Sequence, residues 1–416
     1  MTGGVRPAPS AIVESRVLNL SSLAPVAAPR APRAAPAPGG SRLAVRALRL
    51  TAFRNYPRLR LGLDGRPVVL TGPNGAGKTN LLEAVSYLGA GRGLRAARLA
   101  EVDRRVDGVP AGPWAVAAAL DGPEGPFRVG TGRDPAGHTA RRVVRLDGRP
   151  VPGPAALAGR VPVLWLTPSQ DGLFLDRPGA RRRYLDKLVA ALDPAHATRI
   201  SDYERALRER ARLLRDGGAD PAWLAALERT MAETGVAIAA ARRQAAADFS
   251  RAARAGIGPF PAARIDVEGD VEAWLAEGPA LAAEERLEAG LRAARGRDAE
   301  LGGAALGPHR SDMVAARPDR AIAAAQLSTG EQKMLLLSLV LGVARLQAAA
   351  RGFAPLLLLD EVAAHLDGAH RAALYEEIRA LGAQAWMTGT DPGLFAPLAG
   401  AVRMLRVGAG EVRDGT

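Results

Sequence analysis

The chain first becomes patterned at Leu43, where apolar and polar residues alternate through Leu50 as they do along a half-buried strand. Val68-Val69-Leu70-Thr71 is a short apolar run entering a glycine-rich turn, and helical text begins at Thr79, so this stretch reads strand, loop, helix. Val161 to Leu166, Leu356 to Asp360 and Ala385 to Thr388 are further predicted strands. The first two are largely apolar, as strands buried on both faces of an α/β sheet should be. Between about Asp176 and Glu300 the text turns Ala-, Leu-, Arg- and Glu-rich and helical, with one short strand candidate at Arg264 to Val267. The expected organisation is an α/β unit in two parts, residues 41–175 and 301–416, with a helical lobe at 176–300 inserted between them. Residues 1–40, rich in Pro, Ala and Arg and without sustained period, are expected to form a disordered extension.

Composition narrows the class. At 416 residues and 48% apolar content the chain can bury a sizeable core. It has no cysteine, which excludes disulfides, Cys-based zinc sites and thiol nucleophiles and suits a reducing, cytosolic home. Every long apolar run is interrupted by Ser, Gly, Arg or Asp, so no membrane span is expected. A net charge of +13 favours a polyanionic partner. Only three basic residues are lysines, namely Lys78, Lys187 and Lys333, and a GC-rich coding bias towards Ala, Gly and Arg would raise the charge as well.

The chemistry lies in short motifs. Gly72-Pro73-Asn74-Gly75-Ala76-Gly77-Lys78-Thr79 fits the phosphate-loop pattern G-x-x-x-x-G-K-[ST] between an apolar strand and a helix. Its glycines let backbone N–H groups close round phosphates, Lys78 is expected at the β- and γ-phosphates of ATP, and the Thr79 hydroxyl on Mg²⁺. Leu356 to Leu359 run into Asp360-Glu361, two acids projected from the end of a buried strand. Asp360 is expected to hold Mg²⁺ through water or Thr79, and Glu361 to orient the attacking water or accept its proton. Ser328, Thr329 and Gly330 precede the apolar run Met334 to Leu346, so they sit at a helix start, either reading a γ-phosphate or simply capping a core helix.

In this order the motifs resemble the ABC ATPase head. The resemblance places Gln170, after the strand Val161 to Leu166, at the glutamine loop that senses Mg²⁺ and γ-phosphate, and Asp367, after the acid pair, in the dimer-contact loop. Leu50 to Tyr56, Trp165-Leu166-Thr167-Pro168, Arg181 to Asp186, Tyr203 to Leu207 and Gly307-Pro308-His309-Arg310-Ser311-Asp312 narrow it to the RecF family of bacterial recombination mediators, over about Leu43 to Val407. That resemblance implies an ABC ATPase head with a mixed sheet and a helical lobe in place of long coiled coils. It also implies an ATP-driven homodimer on double-stranded or gapped DNA, slow hydrolysis used as a switch, and work with RecO and RecR to help RecA displace single-strand-binding protein. The chain departs from the pattern at three places. Gly389-Thr390-Asp391 stands where the ABC switch histidine is expected, the signature reads Ser-Thr-Gly-Glu-Gln, and Ala211 follows Arg210 where the family tends to have Asn.

Residues 177–215 carry ten Arg and one Lys against five acids, a local charge of +6. This strip, with Arg181, Arg182 and Arg183 as candidates, reads either as a DNA-facing surface or as a solvated helical face. Few aromatics accompany it, which favours contacts to a duplex backbone over base stacking. A transporter ATPase subunit fits less well because Arg-rich helices fill the 250 residues between Lys78 and Ser328. A structural SMC-like protein would need sustained heptads, which the insert lacks.

Overall fold

The structure, a computed structural model, describes residues 42–134, 141–217, 220–254 and 257–415. The extension at 1–40 lies outside the described residues. The first strands are β1 (Ala44–Phe53), β2 (Tyr56–Gly62) and β3 (Val68–Thr71), followed by helix α1 (Lys78–Ser86). A two-residue hairpin, β4 (Arg105–Val106) and β5 (Val109–Pro110), precedes β6 (Ala115–Gly122), β7 (Gly125–Arg133), β8 (Arg142–Leu146), β9 (Arg149–Val151) and β10 (Val163–Leu166). Helices α2 (Pro178–Leu192), α3 (Ala195–Asp216) and α4 (Pro221–Arg254), strand β11 (Arg264–Glu268) and helices α5 (Asp270–Glu277), α6 (Ala280–Ala293) and α7 (Arg295–Leu301) come next. Then follow β12 (Asp312–Arg317), β13 (Ile322–Ala323), α8 (Thr329–Arg351), β14 (Leu356–Leu359), α9 (Gly368–Leu381), β15 (Ala385–Gly389), β16 (Arg403–Gly408) and β17 (Glu411–Asp414).

Two six-stranded sheets form the head. One runs β10-β14-β15-β3-β16-β17, parallel except for the last strand. The other is antiparallel, in the order β2-β1-β6-β7-β8-β9. Leu356 and Leu358 of β14 join α1 and the inner face of the antiparallel sheet in one core, while Leu357 and Leu359 join α2, α8 and α9 in another. Side chains alternate across a strand, so a strand covered on both sides has no polar position, which is why its text is unbroken leucine. Helix α8 is buried on nearly every side for the same reason. It is the one described helix long and apolar enough to cross a membrane, and most of it is inside the protein.

The antiparallel strands β6 to β9 are a structural addition to the strands expected from sequence. Ala115-Val116-Ala117-Ala118-Ala119-Leu120 alternates between half-buried and buried positions, but alanines on both faces erase the period from the text. The helical stretch is not a closed unit at its edges. Helix α2 and the end of α4, through Leu185, Leu188 and Phe249, belong to the core beneath the parallel sheet, and β11 pairs with β12. Its outer part has a separate core around Tyr203, Met231, Val236, Leu287 and Leu291.

That outer part is fixed by a buried guanidinium. Arg210 binds Glu228 at 3.0 Å and Asp298 at 2.8 Å, and it donates to the Leu291 carbonyl at 2.6 Å. All three charged side chains are buried. Arg295 also holds Glu228, at 2.6 Å, but removing Arg210 leaves the buried Asp298 without its cation, at a cost of roughly 3–5 kcal/mol. Arg210→Met should therefore lower unfolding stability by about that much in a urea titration, and a loss within experimental error would show that the cluster relaxes onto water.

Candidate nucleotide site

Strands β10, β14, β15 and β3 are neighbours and parallel, so their carboxyl ends share one edge. Ligands of open α/β sheets bind at such an edge. The predicted phosphate loop, acid pair and glutamine turn all leave from it.

The loop at 72–79 is shaped by what surrounds it. At Gly72, φ is +148° and a Cβ would lie 2.1 Å from the Val407 carbonyl oxygen, so only glycine lets β16 pass this close. At Gly77, φ is +111° and a Cβ would meet Asn55 Nδ2 at 2.4 Å and Tyr56 Oη at 2.7 Å. Asn55, in the β1–β2 turn, and Tyr56, the first residue of β2, grip the loop from outside. Asn55 donates to the Ala76 carbonyl at 3.2 Å, Tyr56 donates to the Gly77 carbonyl at 3.0 Å, and Asn80 donates to Asn55 Oδ1 at 2.8 Å. One turn along α1, the buried carboxylate of Glu83 holds Arg54 and Arg95 at 2.7 and 2.6 Å. Gly77 gives α1 no side-chain cap, and no acid occupies its first turn. The N–H groups of that helix start fit an anion, and so does Lys78, 5% exposed, whose Nζ donates to the carbonyls of Gly72 at 2.8 Å and Pro73 at 3.0 Å.

Asp360, at the end of β14, receives two hydroxyls. Thr79 donates to it at 2.9 Å and Thr388, on β15, at 2.7 Å. Thr388 Oγ1 in turn accepts the Glu361 N–H at 2.8 Å. Glu361 has φ of +53°, a left-handed conformation that a non-glycine residue holds only where its surroundings enforce it, and such strain gathers at functional positions. The donor set Thr79 hydroxyl and Asp360 carboxylate is all oxygen, which fits a hard divalent cation such as Mg²⁺.

The other predicted residues are capping groups within this chain. Gln170 closes a 3₁₀ turn, Pro168–Gln170, and its Oε1 accepts the Thr167 N–H at 2.9 Å. Ser328 caps α8, its Oγ accepting the Glu331 N–H at 3.3 Å, and Ser328, Thr329 and Gly330 are all exposed. Asp367 caps α9 by accepting from the His370 N–H at 2.9 Å and is likewise exposed. Neither Ser328 nor Asp367 makes a recorded hydrogen bond or ion pair to the phosphate loop of its own chain. Asp171, next to Gln170, faces Lys333 of α8 at 3.4 Å. In Gly389-Thr390-Asp391, Asp391 caps the following turn by accepting the Gly393 N–H at 2.7 Å.

Most arginines of the strip have partners within the chain. Arg181 is paired with Asp312 at 2.5 Å and Arg182 donates to the Ser311 carbonyl at 2.5 Å, which leaves Arg183 as the exposed member of the three. Farther along, Arg199, Arg205, Arg208 and Arg212 each pair with an acid of the same strip, Asp193, Asp202, Glu204 and Glu209. Acids of the strip thus pair with four of its ten arginines, at helical spacing for Arg205, Arg208 and Arg212. Sequence reasoning also missed Thr388, whose signal was a lone polar residue ending a buried strand, and the roles of Asn55, Tyr56 and Asn80, which only the fold brings to the loop.

A two-sheet head that carries a phosphate loop, a strand-end acid pair and a capped signature helix is the head of an ABC-type ATPase. The fold agrees with a solved structure of the recombination mediator protein RecF-ATPrS, at a TM-score of 0.78 over 91% of this chain and 99% of that one with 20% identity. An Smc head domain from Pyrococcus yayanosii aligns at 0.50 over 90% and 97%, with 16% identity. No protein-family model matches the chain. Among curated proteins, DNA replication and repair protein RecF of Rhizobium etli (strain CIAT 652) is 46% identical over 367 residues, covering 88% of this chain and 97% of the relative. The Caulobacter vibrioides protein of the same description is 48% identical over 375 residues, covering 88% and 96%. The chain belongs to the RecF family.

The Thr388 hydroxyl is 1% exposed and ties Asp360 to the Glu361 backbone. Thr388→Val keeps its shape, strands the Glu361 N–H and leaves Asp360 with Thr79 alone, so stability should fall by about 1–3 kcal/mol. Denaturant melts check this, and a neutral result would mean that another group takes the Glu361 amide.

Proposed function

We propose that the protein is an ATP-gated DNA clamp of recombinational repair and replication-fork maintenance. Two copies close over two ATP molecules on double-stranded or gapped DNA, and slow, DNA-stimulated hydrolysis releases them. The observation that carries this reading is the split site. Phosphate-binding groups gather at one sheet edge, while the exposed start of α8 at Ser328 lies open to a second copy. The loop amides and Lys78 bind the phosphates, Thr79 and Asp360 hold Mg²⁺, and Glu361 orients the attacking water or takes its proton. Mg²⁺ when bound supplies charge neutralisation between the phosphates. Gln170 senses the filled site, and Ser328, Gly330 and Asp367 serve the partner copy. The family, together with the RecFOR pathway named for the solved relative, supports RecO and RecR homologues as partners and the help given to RecA.

Lys78→Ala should abolish ATP binding, whereas Glu361→Gln should bind ATP, stall before hydrolysis and stay dimeric on DNA. Equal loss of nucleotide affinity in the two variants, read by titration, would overturn this division of roles. Shared sites are tested by mixing. Lys78→Ala and Ser328→Arg homodimers should both be inactive, the latter also losing a cap of about 1 kcal/mol. Random pairing makes half the dimers mixed with one intact site of two, so about a quarter of wild-type ATP turnover should return. ATP-dependent dimerisation is followed in parallel. No recovery in either assay, with subunit exchange demonstrated, would confine Ser328 to its own chain.

A further inference from the structure

The inner face of the antiparallel sheet is the apolar floor beneath α1, and its outer face is different in kind. Cross-strand pairs place Arg49 of β1 directly opposite Arg60 of β2, and Thr51 opposite Arg58. Across β6 and β7 the same row continues through Ala117 and Gly130 to Arg145 of β8. Arg128 of β7 stands opposite Ala119, one row over. Alanine and glycine thus pave the centre, with arginines on both flanks. With strands about 4.8 Å apart, the paved area from β2 to β8 is roughly 19 Å across.

Burial pushes the Arg49 guanidinium below its ordinary value, and Arg60 and Arg128 push it further the same way. Among the described residues, no carboxylate pairs with the exposed side chains of Arg58, Arg60 or Arg128, in contrast with the acid-paired arginines of α3. Of the nearby acids, Asp121 is taken by Arg46 at 2.5 Å, and Asp147 in the β8–β9 turn accepts the backbone N–H of Arg128 at 2.7 Å. A coding bias explains arginine in place of lysine, but not why the side chains of Arg58, Arg60 and Arg128 have no carboxylate partner among the described residues. No aromatic side chain projects from these rows to stack on a base.

We propose that this outer face docks the sugar-phosphate backbone of a DNA duplex, Arg58, Arg60 and Arg128 each meeting a phosphate while the small residues between them admit the backbone closely. The inference rests on the DNA-binding reading above and moves the contact from the helical strip to the head. It also links the two ligands. The β1–β2 hairpin that bears Arg58 and Arg60 ends in Asn55 and Tyr56, which hold the phosphate loop.

The test is duplex affinity against salt with the full chain and ATP, comparing wild type, Arg58→Ala/Arg60→Ala/Arg128→Ala and Arg199→Ala/Arg205→Ala/Arg208→Ala. Each lost phosphate contact flattens the slope of log K against log salt by about one. The sheet triple variant should lose about three, equally on unrelated sequences, with basal ATP turnover kept, while the helical triple variant keeps the wild-type slope. Removing three exposed arginines that have no carboxylate partner among the described residues should leave the melting temperature of the sheet variant unchanged, so a lowered one would mark these arginines as structural and overturn the proposal. Wild-type slope in the sheet variant would also overturn it, leaving the clamp reading intact with its DNA elsewhere. Tighter binding of a single strand of equal length, with the same sensitivity, would replace the duplex as occupant and overturn the assignment. Wild-type protein that binds no duplex at low salt in any nucleotide state would sink the clamp reading as well.

Discussion

One carboxylate ties the head together. Asp360 accepts hydroxyls from Thr79, at the start of α1, and from Thr388, at the end of β15, so residues some 280 positions apart in the chain meet on two oxygens. For this to happen β14, β15 and β3 must be adjacent, parallel and in register, and their largely apolar text is the cost of being covered on both faces. Glu361 inherits its left-handed backbone from the same knot through the Thr388 hydroxyl. A polar cluster of this kind is stable only when fully satisfied, which makes it intolerant of partial change.

Outside that knot the elements are fastened by seams. Gln384 lies between the two sheets, accepting the Val45 N–H at 2.8 Å and donating to the Val45 carbonyl at 3.1 Å, where β1 carries its bulge. The helical region is tied to the head through Arg242, which grips Asp186 at 2.7 Å and the Pro308 carbonyl at 2.6 Å. Burial would raise the Asp186 carboxyl, but hydrogen bonds from His196 and Arg242 outweigh it and hold the group below the usual range. Beside it, burial drives the His309 imidazole down to about 4, so it stays neutral at physiological pH. Its contact with Tyr203 at 2.7 Å is then a neutral one, insensitive to pH across that range.

The phosphate loop and acid pair were legible because their chemistry needs fixed residue types at fixed local spacing, and β14 because double burial leaves no polar position. The strands β6 to β9 were not, since alanine fits either face of a sheet and supplies no contrast. Thr388 was invisible as a partner of Asp360 because adjacency of β14 and β15 is a fact of topology, written nowhere near either residue. The pairing within the arginine strip was hidden for a related reason. Charge counted along a chain says nothing of the partners that helical spacing and distant segments supply, as Asp312 does for Arg181.

The distribution of amines has a practical side. Lys78 and Lys333 are 5% and 4% exposed, and the Lys187 ammonium is enclosed against the Trp165 ring at 3.3 Å, where burial lowers its affinity for a proton. A surface crowded with guanidinium groups thus presents no lysine amine among the described residues. Reagents that acylate amines will find the positive charge of this protein almost inert, and wherever they do react at a lysine they report an opening of the interior, most informatively at the phosphate loop.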